Sequence, residues 1–408
     1  MQSTPKGNRL HIGIFGRRNA GKSSLINSLT KQEAALVSAI AGTTTDPVYK
    51  AMEILPIGPV MIIDTAGIDD FGTLGEMRVE KTREVITKTD VAILVMDGQD
   101  EFSVFEEQLT KELKKRKTPT ILVLNKEDIL PTSDEKLAQL KAKLKIPVIR
   151  VSNVNLQGIE LLKEELIKSV PEHWEGQPLV GDLINGGDSV IMVVPIDTAA
   201  PKGRLILPQV QAIRDVLDHD GHVHVVKERE LKSLLDNLKE KPKLVITDSQ
   251  EFLKADADTP QDINLTSFSI LMARHKGELE SLVMGAKAID SLKRGDKILV
   301  AEACTHQCQA DDIGRVKIPR WLRQYVGGEL EFHWVSGNSF PVDLQKYKLI
   351  IHCGGCMINR RAMLHRMKIA EEHKVPIVNY GVLIAKLHGI LPRALSPFPY
   401  LQMLMKEE

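Results

Sequence analysis

Three short motifs place reactive side chains at spacings that suit phosphate and guanine chemistry. Gly16-Arg-Arg-Asn-Ala-Gly21-Lys22-Ser23 fits G-x-x-x-x-G-K-[ST], follows the apolar run Leu10 to Phe15 and opens a helical pattern from Ser23 to Thr30. In that context backbone N–H groups cradle phosphate at a helix N-terminus. Gly16, Asn19, Ala20, Gly21, Lys22, Ser23 and Ser24 are the expected phosphate-binding set. Lys22 is placed to reach the β- and γ-phosphates, and the Ser23 hydroxyl to bind Mg²⁺. Asp64-Thr-Ala-Gly67 follows the run VMII; Asp64 sits where a Mg²⁺-positioning carboxylate belongs, and the Gly67 N–H faces the γ-phosphate. Asn125-Lys126-Glu127-Asp128 follows TILVL and fits N-K-x-D. A carboxylate at Asp128 accepts from guanine N1–H and the 2-amino group. Adenine offers neither donor and leaves the carboxylate unpaired. Ser152 and Asn153 follow the last strand-like run at the place of a final base-binding loop. The set predicts a GTP/GDP and Mg²⁺ site.

Between the first two motifs lies Ala41-Gly-Thr43-Thr44-Thr45-Asp46, which resembles the G-T-T-R-D switch of the TrmE–Era–EngA GTPases. The resemblance implies that Thr44 closes over Mg²⁺ and the γ-phosphate, which makes Lys22, Thr44, Asp64 and Gly67 the expected catalytic set. Two departures bear on mechanism. Ile68 follows D-x-x-G where Ras-like proteins carry a catalytic Gln, so water positioning must come from elsewhere. The final loop reads Ser-Asn in place of the usual Ser-Ala. The resemblance also implies that Asn19 helps hold K⁺ against the phosphates. Such a cation would supply charge stabilisation without an arginine finger, so a K⁺-stimulated GTPase is expected.

All four cysteines lie between Cys304 and Cys356. Cys304-Thr-His306-Gln-Cys308 and His352-Cys353-Gly-Gly-Cys356 each follow a strand-like run, KILVAEA and YKLII. Both sets therefore emerge at strand carboxyl ends, where open α/β sheets bind ligands. Four thiols suit tetrahedral zinc, soft thiolates suit an iron–sulfur cluster equally, and Cys353 with Cys356 suits a redox dithiol. The residue chemistry alone leaves these open.

The order C-x-H, a long gap, then H-C-x-x-C, behind such a GTPase segment, resembles the HydF family of [FeFe]-hydrogenase maturation GTPases. That resemblance covers essentially the whole chain. It implies a GTPase domain, a dimerisation domain and a C-terminal [4Fe-4S] domain. It also implies cluster ligation by Cys304, Cys353 and Cys356, with His306 and His352 at or near the fourth iron position. Cys308 falls outside the family pattern. Three thiolate ligands leave one iron with an exchangeable position, the logic of a scaffold. The implied cargo is a diiron unit bearing CO and CN⁻, received from radical-SAM maturases and delivered to apo-[FeFe]-hydrogenase by a homodimer. The competing reading is a TrmE- or Era-like GTPase of tRNA modification or ribosome assembly with structural zinc. A third is a redox-switched regulatory GTPase.

These residues need elements to hold them. Apolar runs at 10–15, 60–63, 91–96, 120–124 and 148–151 alternate with helical patterns such as 76–88 and 104–115, which predicts a parallel sheet wrapped by helices. The expected layout is α/β throughout: a P-loop GTPase domain over 8–170, a Gly-rich linker over 171–187, a dimerisation domain over 188–258 and a cluster domain over 262–408. No internal repeat is visible. Lys202 and Arg204 in the middle segment read as a solvated turn. Lys+Arg and Asp+Glu both number 54, and aromatics are 4%, which argues against nucleic acid as a partner. No run approaches the roughly 20 apolar residues of a membrane span, and the opening residues lack a signal-peptide core, so a cytoplasmic location is expected.

Overall fold

The computed structural model describes residues 4–31, 38–40, 47–65, 73–172, 174–195, 205–303, 312–337, 340–341 and 343–405. The chain divides into two compact units, Met1–Glu175 and Gly176–Glu408.

The first unit is built on seven strands: β1 (Leu10–Phe15), β2 (Ser38–Ile40), β3 (Val48–Ile54), β4 (Gly58–Asp64), β5 (Val91–Asp97), β6 (Thr120–Asn125) and β7 (Val148–Arg150). Their order is β2-β3-β4-β1-β5-β6-β7, antiparallel from β2 to β4 and parallel from β4 to β7. The parallel strands are continuous apolar runs because helices cover both faces. In β5, Val91, Ile93 and Val95 enter one core while Ala92, Leu94 and Met96 enter the other. The helices expected at 23–30, 76–88 and 104–115 form over Lys22–Lys31, Thr73–Lys88 and Val104–Lys115, and a further helix spans Ile159–Lys168.

The second unit holds two four-stranded parallel sheets. The first contains β8 (Ser189–Val193), β9 (His222–Val226), β10 (Leu244–Thr247) and β11 (Asn264–Ser267), ordered β11-β10-β8-β9. The second contains β12 (Lys297–Glu302), β13 (Glu331–Ser336), β14 (Leu349–His352) and β15 (Ile377–Asn379), ordered β13-β12-β14-β15. In each sheet the first strand in the chain lies between the second and the third. The chain thus repeats a topology that its sequence does not repeat. Such an order makes a switch point between first and third strands, with a crevice at their carboxyl ends.

Two expected boundaries move. The break expected between 258 and 262 falls inside the first of these sheets, because β11 pairs in parallel with β10 from Leu244↔Asn264 to Thr247↔Ser267. The segment expected to link over 171–187 is anchored in its second half. Leu179, Val180 and Ile184 are buried in the core below β8 and β10, and Asp215 accepts hydrogen bonds from the backbone of Val180 (2.6 Å) and Gly181 (2.7 Å).

Candidate functional site: a nucleotide cradle and a cysteine turn

In the first unit, β1 runs straight into the phosphate loop and the loop into the helix Lys22–Lys31. A Cβ at Gly16 would lie 2.1 Å from the Val95 carbonyl oxygen, and one at Gly21 2.1 Å from Asn125 Nδ2, so only glycine fits either position. The Lys22 ammonium folds over the loop, donating to the carbonyls of Gly16 (2.8 Å) and Arg17 (2.7 Å). Ser23 Oγ donates to Asp64 Oδ2 at 3.0 Å, bringing the two expected Mg²⁺ groups together across 41 residues. Burial pushes the Asp64 carboxyl up, opposed by the Ser23 hydrogen bond and by the charges of Lys22 and Lys50. Asn19 is exposed and left-handed, with φ 61°.

The base-binding residues converge on the same loop. Buried Asn125 donates from Nδ2 to the Ala20 carbonyl at 2.8 Å and accepts at Oδ1 from Asn153 Nδ2 at 2.9 Å. The Asn at 153, which departs from the usual Ala, thus gains a partner within the site. Ser152 Oγ donates to Asp128 Oδ1 at 2.6 Å, which orients the exposed carboxylate expected to read guanine. Lys126 turns at φ 67° and pairs with Asp97 at 2.9 Å. Ser24 is exposed on the first helical turn. Thr44, Gly67 and Ile68 lie outside the described residues.

Sequence reasoning missed one participant. Glu106, 1% exposed, accepts from Arg17 Nη2 of the phosphate loop at 2.8 Å. It also closes a capping box with Ser103 at the start of the helix Val104–Lys115. The S-x-x-E spacing of Ser103 and Glu106 was the available signal.

In the second unit, the cysteine turn leaves the carboxyl end of β14 beside β12, at the switch point of the last sheet. The Ala303 N–H lies 3.1 Å from Cys353 Sγ. Cys304 is the next residue, so β12 delivers the chain to Cys353 just before its own cysteine; Cys304, His306 and Cys308 lie outside the described residues, as do Lys202 and Arg204. Cys353 and Cys356 are not joined in a disulfide, and each is partly exposed. Gly355 turns at φ 67° between them. Burial pushes the Cys353 thiol up, opposed by the N–H groups of Ala303 and Gly355 and by the charge of Arg366. Among the described residues no group of three His, Cys, Asp or Glu side chains is placed to hold a metal ion. Two soft donors on a tight turn, with a backbone N–H directed at one sulfur, nonetheless suit a thiolate-ligated metal.

His352 was expected at or near the fourth iron position. It is fully buried, with Nδ1 2.7 Å from the Cys353 carbonyl and Nε2 2.9 Å from Arg366 Nη1. An arginine only donates, so Nε2 accepts, and Nδ1–H donates to the carbonyl. Both ring nitrogens are engaged by protein groups. Burial, with the Arg366 charge, lowers its pKa to about 3.

Comparison with known proteins separates the parts. Residues 11–126 match the family described as 50S ribosome-binding GTPase. The chain is 38% identical over 105 residues to GTPase Der of Campylobacter jejuni, which is 25% of this chain and 23% of that protein. It is 42% identical over 104 residues to the tRNA modification GTPase MnmE of Heliobacterium modesticaldum, 25% of this chain and 22% of that protein. The chain thus spans less than a quarter of the length of either relative. Among solved structures, Era of Aquifex aeolicus is 20% identical, covering 55% of this chain and 97% of that one, with a TM-score of 0.35. The T. maritima FeoB G domain is 24% identical, covering 40% and 99%, with a TM-score of 0.32. Beyond the GTPase segment, residues 179–277 match the hydrogen maturase F dimerization domain and 280–397 the hydrogen maturase F tetramerization domain.

The chain belongs to the hydrogen maturase F family.

The two hydrogen maturase F models meet at 277–280, just after β11 and its following helix. The family architecture is therefore a P-loop GTPase domain followed by two parallel α/β sheets. The region read from sequence as a cluster domain matches a model described as a tetramerization domain, and with the dimerization match before it this supports self-association. No helix among the described residues is long and apolar enough to cross a membrane.

Proposed function

We propose that the chain is a GTP-hydrolysing scaffold for [FeFe]-hydrogenase maturation. It holds a [4Fe-4S] cluster on Cys304, Cys353 and Cys356, carries a diiron unit bearing CO and CN⁻, and delivers that unit to apo-[FeFe]-hydrogenase. The observation that carries this reading is the presence in one chain of a GTPase domain and both hydrogen maturase F models. When bound, the cluster supplies an iron with an exchangeable ligand, where cargo can attach.

The chain's own residues do the rest. The Ala303 N–H, 3.1 Å from Cys353 Sγ, would favour that sulfur as a thiolate ligand, and Cys356, beyond the left-handed Gly355, would supply the second thiolate. His352 fixes the Cys353 carbonyl, which leaves His306 as the histidine for the fourth position. In the first unit, GTP draws the Lys22 ammonium from the loop carbonyls to its β- and γ-phosphates. Ser23, Asp64 and Thr44 would hold Mg²⁺, and Gly67 would offer its N–H to the γ-phosphate. Asn19 holds K⁺. Asp128, set by Ser152, selects guanine over adenine. The working form is a cytoplasmic self-associated oligomer that receives cargo from radical-SAM maturases.

The test uses the full chain, loaded anaerobically with iron, sulfide and a synthetic diiron complex, then mixed with apo-hydrogenase. Hydrogen evolution should appear with the wild type and vanish with Cys353→Ala. Equal activation by both would overturn the reading.

A further inference from the structure

The cysteine turn has a wall that its own sheet does not supply. The helix Phe268–Lys276 follows β11 and lies within the dimerization-domain match. Its residue Ser269 reaches across to the carboxyl end of the other sheet. Asn379 Nδ2 donates to the Ser269 carbonyl at 2.9 Å and to Ser269 Oγ at 3.0 Å, and the Gly381 N–H donates to the same Oγ at 3.1 Å. Asn379, 1% exposed, ends β15 and is the register partner of His352, the residue before Cys353. On the cysteine side, a Cβ at Gly354 would lie 3.9 Å from both Ser269 Oγ and Met272 Cβ. Cys356 packs against the core formed by Phe268, Leu271 and Met272.

The helix Phe268–Lys276 therefore lies beside the turn, within van der Waals reach of a side chain at Gly354, and Cys356 packs against a core that this helix helps form; the same helix fixes the neighbouring strand end through Asn379. The contact is close-packed. A Cβ at Gly381 would fall 2.8 Å from Ser269 Cβ and 3.0 Å from the Ile270 nitrogen, so any side chain there displaces the helix.

We propose that Ser269 is a positioning residue for the C-x-x-C turn, so that the dimerization domain completes the metal site and metal loading stiffens its helix Phe268–Lys276. This rests on the cluster reading above. The reciprocity is thermodynamic: if the helix position favours metal binding, metal binding favours that position by the same factor. A serine that merely joined two domains would hold the helix equally with and without metal.

The test is hydrogen exchange of the full chain, metal-free and anaerobically reconstituted, with iron release to a chelator measured in parallel. In the wild type, loading should slow exchange across 268–276 several-fold beyond any change in the helix Val104–Lys115. Ser269→Ala and Gly381→Ala should release iron several-fold faster than wild type and lose that protection, with GDP binding unchanged. Loading that leaves exchange at 268–276 unaltered in the wild type overturns the proposal without requiring any variant to fold. So does iron release from Ser269→Ala at the wild-type rate. If the wild type takes up no iron at all, the cluster reading itself has failed, and with it this proposal.

Discussion

Replacing Gly21 by Ala should uncouple the phosphate loop from the base-reading loops. Gly21 has φ +90°, and its missing Cβ would stand 2.1 Å from Asn125 Nδ2. Two costs follow. An L-residue held left-handed costs about 1–2 kcal/mol. Displacing the Asn125 amide breaks its buried bond to the Ala20 carbonyl and disturbs its bond to Asn153, at about 1–3 kcal/mol for a buried group left unsatisfied. The sum of about 2–5 kcal/mol corresponds to roughly 30-fold to several thousandfold, at about 1.4 kcal/mol per decade. The assay is titration with a fluorescent GDP analogue, with denaturant unfolding of the nucleotide-free protein beside it. The strain falls on the stability of the folded loop, and the displaced Asn125 amide on GDP affinity. Gly58→Ala is the control: it has the same φ of +90° but nothing within 4 Å of its Cβ, so it carries strain without collision. Its GDP affinity should stay at wild type. A Gly21→Ala protein that binds GDP within about threefold of wild type and unfolds at the same denaturant concentration would refute the account of this loop.

Turnover of GTP should be faster in KCl than in NaCl at equal ionic strength, and Asn19→Ala should remove the difference; equal rates in the wild type would contradict the K⁺ assignment. Glu106→Ala removes the Arg17 partner and the capping box together, so the first unit should lose about 1–3 kcal/mol in denaturant unfolding, and an unchanged midpoint would show that the pair is inert. Burial, and then the Lys276 charge, lower the pKa of His275 to about 4 from 6.5. Between those values the unfolded chain binds a proton that the folded chain refuses, so stability is lost as pH falls from about 6.5 toward 4. The slope is at most about 1.4 kcal/mol per pH unit, reduced by solvent screening, and His275→Gln should flatten it in unfolding measurements from pH 7 to 5.

The parallel strands of the first unit were legible because burial on both faces demands unbroken apolar runs, as in β5 and β6. β3 was not: its sequence VYKAMEI mixes lysine and glutamate into a strand whose buried residues are confined to its second half, Ala51 on one face and Met52 and Ile54 on the other. β11 reads NLTS, too short and polar to signal a strand, yet Thr266 and Ser267 are fully buried by the sheet beside them. The anchoring of 179–184 was hidden for a similar reason. Glycines and polar residues dominate the segment, and the Asp215 carboxylate that fixes it lies 34 residues from Gly181. At the site, motif spacing singled out residues that the structure pairs, Ser23 with Asp64, Asn125 with Asn153 and Asp128 with Ser152, because local backbone geometry imposes that spacing. It also found both ends of the cysteine turn. It could not locate Glu106 or Ser269, whose partners Arg17 and Gly381 lie 89 and 112 residues away. Nor could it tell that Arg366 occupies the free nitrogen of His352.

The central claim is that this GTPase carries an iron–sulfur cluster on its C-terminal cysteines. The most direct measurement is iron, acid-labile sulfide and zinc in protein purified without oxygen, together with low-temperature EPR after reduction. The account predicts about four irons and four sulfides per chain, a reduced [4Fe-4S] signal, and loss of both in Cys353→Ala. Stoichiometric zinc without iron, unaffected by the reductant, would contradict it and leave only the nucleotide site standing.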